Sequence, residues 1–133
     1  MSCKLETIED PNSVYGEVDI IRSPNGAEIP LAFSNIRYAD EAPIDATDKT
    51  FILLIKEDPT VNDIDGLVYV NSNNDFVISE DPLIVKYGVD TSDPKFNPDS
   101  ILYGEFWVDD IIFGKYLLKE FRVYMGNAIR NQF

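Results

Sequence analysis

The segment LYGEFWVD, residues 102–109, decides the fold class. In an extended chain successive side chains alternate between faces. Leu102, Gly104, Phe106 and Val108 therefore share one side, and Tyr103, Glu105, Trp107 and Asp109 share the other. The first set reads as a core face. The second mixes two large aromatics with two acids, which suits a half-covered surface or a contact face.

Working outward, short stretches rich in Val, Ile, Tyr, Phe and Leu recur between turn signals. Those signals include Ser23-Pro24-Asn25-Gly26, Asp58-Pro59, Asp65-Gly66, Asp81-Pro82, Asp93-Pro94 and Gly126-Asn127. The pattern predicts strands over residues 15–21, 28–34, 50–57, 67–71, 76–79, 83–87, 102–109 and 116–124. In the last of these, Phe121 and Val123 share a face opposite Arg122 and Tyr124. Residues 110–119 carry apolar side chains at roughly helical spacing, but Gly114 and the β-branched pair Ile111-Ile112 favour a turn or short bend. Residues 88–100 read as a surface loop. The expected architecture is all-β: a single antiparallel, immunoglobulin-like sandwich of seven to eight short strands. Residues 1–14 form an N-terminal arm and residues 15–133 the domain.

The chain has 133 residues, with 24 acids against 11 bases, one cysteine and no histidine. A single Cys3 excludes an internal disulfide framework and any multi-cysteine zinc site. Without histidine there is no Ser-His-Asp triad, Cys-His pair, histidine-ligated metal or imidazole base. The apolar runs, such as residues 51–55, are too short to span a membrane as a helix, and MSCKLETIED does not resemble a secretory signal. The net charge of −13 is confined to residues 1–100, whereas residues 101–133 are neutral and hold half of the aromatics. Such a field disfavours direct contact with nucleic-acid phosphates or anionic lipid and favours solubility or a basic protein partner.

The candidate chemical motifs are weak. Asn62-Asp63-Ile64-Asp65-Gly66 lacks the spacing of a calcium loop, and Asn71, Asn73 and Asp75 lack its glycine and closing glutamate. Both read as turns. The pairs Asp109-Asp110 and Glu80-Asp81 could in principle work as acid and base, but adjacent strand residues point to opposite faces, so the reading is a solvated strand end. Cys3 has no neighbouring base to activate it. No catalytic, cofactor-binding or metal-binding residue is assigned, and no cofactor is expected. The chain reads as a non-enzyme.

A further thread runs along the chain: a strand, then Ser23-Pro24-Asn25-Gly26, then Glu28-Ile-Pro-Leu-Ala-Phe33. The connector Ala42-Pro-Ile-Asp-Ala-Thr47 follows, then Ile55-Lys56-Glu57-Asp58-Pro59, Asp63-Ile-Asp-Gly-Leu-Val68, and lastly Gly114-Lys-Tyr116 leading to Phe121-Arg-Val-Tyr124. This order, over about residues 17 to 125, resembles the N-terminal domain of phage baseplate upper proteins, a β-sandwich of phage tails. The resemblance implies a bacteriophage virion component of the tail, baseplate, neck or fibre attachment, which seats one virion protein on another. It further implies other virion proteins as partners, a homo- or hetero-oligomer within a symmetric assembly, and residence in the virion after a soluble stage in the host cytoplasm. Tyr103, Trp107, Tyr116, Tyr124 and Phe133 are the residues expected at such an interface. The competing readings are a capsid decoration protein, an acidic DNA-mimic inhibitor of the anti-restriction or anti-CRISPR kind, and a carbohydrate-binding module using Trp107 and Tyr103.

Overall fold

The computed structural model describes residues 5–7, 19–34, 36–38, 46–80 and 83–127, and these are almost wholly strand and turn. In chain order the strands are β1 (Leu5–Thr7), β2 (Asp19–Ser23), β3 (Glu28–Phe33), β4 (Ile36–Tyr38), β5 (Lys49–Lys56), β6 (Val68–Val70), β7 (Val77–Glu80), β8 (Leu83–Asp90), β9 (Ile101–Asp110) and β10 (Gly114–Met125). Single 3₁₀ turns at Ala46–Asp48, Asp63–Asp65 and Asn73–Asp75 join them. The larger sheet has the order β2-β10-β9-β5-β6, the smaller β3-β8-β7, and β1 pairs with β4 in a separate ribbon.

The alternation that singles out residues 102–109 is present as read. Leu102, Gly104, Phe106 and Val108 are buried, and Tyr103, Glu105 and Trp107 are half-buried on the opposite face. The apolar core joins both sheets: Ile29, Leu31, Leu83, Val85 and Val89 come from the smaller, and Phe51, Leu53, Ile55, Leu102, Phe106, Phe121 and Val123 from the larger. Phe106 lies at its centre. Its ring stacks on Phe33 of the opposing sheet at 4.0 Å between centroids, with Phe51 at 5.6 Å and Phe76 edge-on at 6.4 Å. Offset and edge-to-face contacts of this kind add to the area they bury. Gly104 faces Phe121 across the ladder, and the Phe121 ring lies where a Cβ on Gly104 would be. Glycine here makes room for a neighbouring ring, a known use of glycine within a strand.

Four expectations need correction. The sandwich is not wholly antiparallel: β2 pairs parallel with β10, Asp19 beside Phe121 through Ser23 beside Met125. After β2 the chain turns at 24–27 and crosses to the other sheet as β3, so β2 joins the larger sheet at its open edge, where β10 runs the same way. Second, the loop read at 88–100 begins later. β3 supplies a strand partner as far as Asp90, and Thr91 then donates both its N–H and its hydroxyl to Ala27 O. Third, residues 110–119 contain only a three-residue turn, 111–113, before β10 starts at Gly114. A bulge between Leu117 and Lys119 leaves Leu118 as the extra residue and buries it, which explains the broken alternation in that stretch. Fourth, Asp110 is not solvated, as described below.

The strands β1 and β4 lie in stretches without a readable pattern. The expected arm at 1–14 is described only at Leu5–Thr7, and Cys3, Tyr15 and Asp81 lie outside the described residues. No helix among the described residues is long and apolar enough to cross a membrane.

Candidate interaction face

Cross-strand register places the outward side chains of the larger sheet in rows. Tyr103 of β9 sits beside Arg122 of β10, which sits beside Ile20 of β2. Trp107 lies between Leu117 on β10 and Ile52 on β5, and Tyr124 lies beside Ile101 and Arg22. Three of the five expected interface residues, Tyr103, Trp107 and Tyr124, therefore share one face. Tyr116 does not: it pairs with the inward Val108 and packs against the core. Phe133 lies outside the described residues.

Two of the aromatics on this face, Trp107 and Tyr103, are held in place. Trp107 donates its indole N–H to Glu105 at 3.1 Å. The Arg122 guanidinium stands over the Tyr103 ring at 4.6 Å and donates to Phe121 O at 3.1 Å. Lys56 bonds Asp63 at 2.5 Å. Between these groups lies a shallow depression of about 270 Å³, lined by Leu54, Lys56, Pro59, Tyr103, Glu105, Glu120 and Arg122. Ile52 and Leu54 are buried on this outer side as well, while Ile20 and Leu117 are exposed. The face carries Glu105, Asp109 and Glu120 against Arg22, Lys56, Lys115 and Arg122, so its charges nearly balance in a chain of net charge −13. A flat, balanced surface with fixed aromatic rings can exclude water against a partner, and it presents no nucleophile paired with a base.

A second apolar feature projects from the β9–β10 turn. Ile111 is 81% exposed and Ile112 57%. The turn beneath them is braced by polar groups. Asp110 is buried, 3.6 Å from the buried Lys49 ammonium, and accepts from the N–H groups of Ile112 at 2.8 Å and Phe113 at 3.4 Å. Lys49 also bonds Asp48 at 2.8 Å, and Ile111 N–H reaches Asp48 O. Gly114 closes the turn at φ +76°, a conformation that favours glycine. Asp110 is thus a structural acid on the inner side of its strand, whereas Asp109 is exposed. The spacing that separates the two faces was correct. The solvated reading failed for Asp110 because its cation comes from the start of β5.

The weak acidic motifs resolve into local bonding. Asn73 uses its whole amide on β5: it accepts from Phe51 N–H at 2.9 Å and donates to Lys49 O at 2.7 Å. Asp58 takes the N–H and hydroxyl of Thr60, and Asp90 those of Ser92. These bonds hold both carboxyls below their ordinary pKa, chiefly through the Thr60 backbone N–H for Asp58 and the Ser92 hydroxyl for Asp90. Among the described residues no group of three or more acidic or thiol side chains converges as metal ligands.

Sequence reasoning missed Ile20, Leu117, Ile111 and Ile112. The pair Ile111-Ile112, set between Asp110 and Phe113-Gly114, carried a usable signal: β-branched residues two and three positions before a turn glycine are exposed at a hairpin tip unless something covers them. Ile20 and Leu117 gave none, because their outward position depends on the β2 register and on the bulge. No protein-family model matches the chain, and no curated protein matches it.

Proposed function

We propose that the chain is an assembly module of a bacteriophage particle, in the tail, baseplate, neck or fibre attachment, and that it docks a neighbouring virion protein through the outer face of its larger sheet. The observation that carries this reading is that Tyr103, Trp107 and Tyr124 come together with Ile20 and Leu117 on a charge-balanced face of a strongly acidic chain. Fixed aromatic groups on a sheet suit a docking surface, and binding there needs no reactive group. The immunoglobulin-like description belongs to this proposal too. It is supported by two sheets sharing one core, with the first strand of the larger sheet running parallel to the last.

Carbohydrate binding is less favoured. Sugar-binding aromatics offer a free ring face, but Arg122 covers Tyr103, and Trp107 is half-buried with its N–H engaged. DNA mimicry is also less favoured, since many of the acids, such as Asp58, Asp93 and Asp99, sit in turns rather than along one face.

Quantitative mass spectrometry of purified particles from the source phage tests the proposal. A few copies per particle, in multiples of about three or six, support a tail or baseplate position. Hundreds of copies would move the chain to the capsid exterior. Absence from particles, with abundance early in infection, would overturn the assembly reading and favour the inhibitor.

A further inference from the structure

The molecule has a second surface suited to a partner, on its β6 side, and backbone directions rather than side chains define it. Phe51 N–H and Lys49 O both reach Asn73, which continues the line of β6 along β5. Odd-numbered residues of β5 therefore turn their backbone groups toward β6. With Leu53 opposite Val70 and Ile55 opposite Val68, those two pairs carry the ladder bonds. Tyr69 is left with its N–H and C=O directed away from the sheet.

The backbone groups of β8 are divided in the same way. Pro30 lies opposite Gly88 and has no N–H to give, and Thr91 N–H bonds Ala27 O. Tyr87, Val89 and Thr91 thus face β3, while Lys86, Gly88 and Asp90 face the β7 side. But β7 begins at Val77, opposite Lys86. Beyond that point no described strand pairs with Gly88 or Asp90 on the side away from β3.

These two open edges flank one groove of about 310 Å³, lined by Leu67, Val68, Tyr69 and Val70 on one side and by residues 87–90 on the other, with Asp93, Lys95 and Phe96 closing its end. Val70, Val89 and Phe96 in the lining are core residues. A groove with these core side chains beneath it, between two edges that no described strand pairs, has the form of a missing strand.

We propose that this groove accepts an extended segment of a partner protein by strand addition. The segment would alternate apolar residues, facing the core, with basic residues facing Asp90 and Asp93. Main-chain bonds to Gly88, Asp90 and Tyr69 would supply affinity, and contact of alternate side chains with Val70, Val89 and Phe96 would set register. Basic character follows from the charge: the chain carries −13, and the groove mouth holds two exposed acids against Lys95, which lies over the Phe96 ring. This inference concerns a different surface from the docking face and holds whether or not the chain is a virion component.

Hydrogen exchange resolved at single amides tests it. In the free protein, the amides of Tyr69, Gly88 and Asp90 should exchange at loop rates while Val68 and Val70 are protected. A synthetic peptide of about six alternating valines and lysines should slow those three amides by about tenfold or more and leave Val68 and Val70 unchanged. The same peptide with N-methylated valines should have no effect. Replacing Gly88 by alanine should keep the response, since a Cβ there meets only the flexible end of Glu28, and G88P, which removes the free N–H, should abolish it. Protection of the three amides in the free protein, no response to the peptide, or an equal response to the N-methylated peptide would each overturn the proposal.

Discussion

The two faces of β9 belong to one strand of ten residues, yet they follow different rules. On the inner face Phe106 is completely buried and stacks on a ring from the opposing sheet. On the outer face Trp107 is larger, only half-buried, and tied to a carboxylate two residues away. The inner face is fixed by volume, because packing near crystal density leaves no room for change. The outer face is fixed by polar anchors, which set ring orientation without filling a cavity. Stability should therefore depend on the inner face and recognition on the outer.

Substitutions can break or sharpen this contrast. The largest effect should come from F106A, which empties the centre of the aromatic cluster. It should cost about 3–5 kcal/mol in urea unfolding, and a loss below about 1 kcal/mol would mean that the rings do not tie the sheets together. Next is the neighbouring acid pair. D110A removes the buried carboxylate beside the Lys49 ammonium and should cost about 3 kcal/mol, while D109A on the exposed side should change unfolding by less than about 0.5 kcal/mol. Equal effects at the two positions would abolish the distinction between the faces. G104A drives a methyl group into the Phe121 ring and should cost about 1–3 kcal/mol.

Smaller effects belong to the outer face. R122A uncovers the Tyr103 ring and should cost about 0.5–1 kcal/mol, with the larger change in partner binding rather than in unfolding. The smallest is a pH effect at the turns. Asp58 has a lowered folded pKa, so its contribution is present above the ordinary aspartate range and is lost as pH falls through the lowered value. In T60A, which removes the hydroxyl and keeps the backbone N–H, the Asp58 carboxyl should titrate somewhat higher in an NMR pH series, and an unchanged titration would show that the hydroxyl contributes nothing beside the N–H.

Much of this was legible from local pattern. The faces of 102–109 follow from alternation alone, and strands over 28–34, 50–57 and 83–87 follow from β-branched and aromatic runs between turn residues. What escaped depends on partners distant in the chain. Asp110 looks like a strand-end acid until Lys49 is brought beside it. The alternation around Leu118 cannot be read without the extra residue that the β9 ladder leaves unpaired. The candidate face was legible as to Tyr103, Trp107 and Tyr124, whose parity is local, but not as to Tyr116, which lies on the far side of the bulge from Tyr124 and so takes the opposite face. The open edges of Tyr69 and Gly88 are a matter of register, which sequence leaves undetermined until the sheet partners are known.

The parallel pairing of β2 with β10 has a mechanical consequence. The chain enters β2 at Asp19, beside Phe121, and leaves β10 at Met125, beside Ser23, at the other end of the same ribbon. Tension transmitted along the polypeptide therefore pulls the two strands past each other along their length. Their hydrogen bonds must give way together as a shear-loaded clamp, not open one after another like a zip. Pulling single molecules from these two points should show one abrupt rupture, whereas pulling the β9–β10 hairpin apart at its open end should show progressive yielding at lower force. Load applied between Asp19 and Met125 thus meets the edge of the larger sheet in the direction in which its ladder resists best.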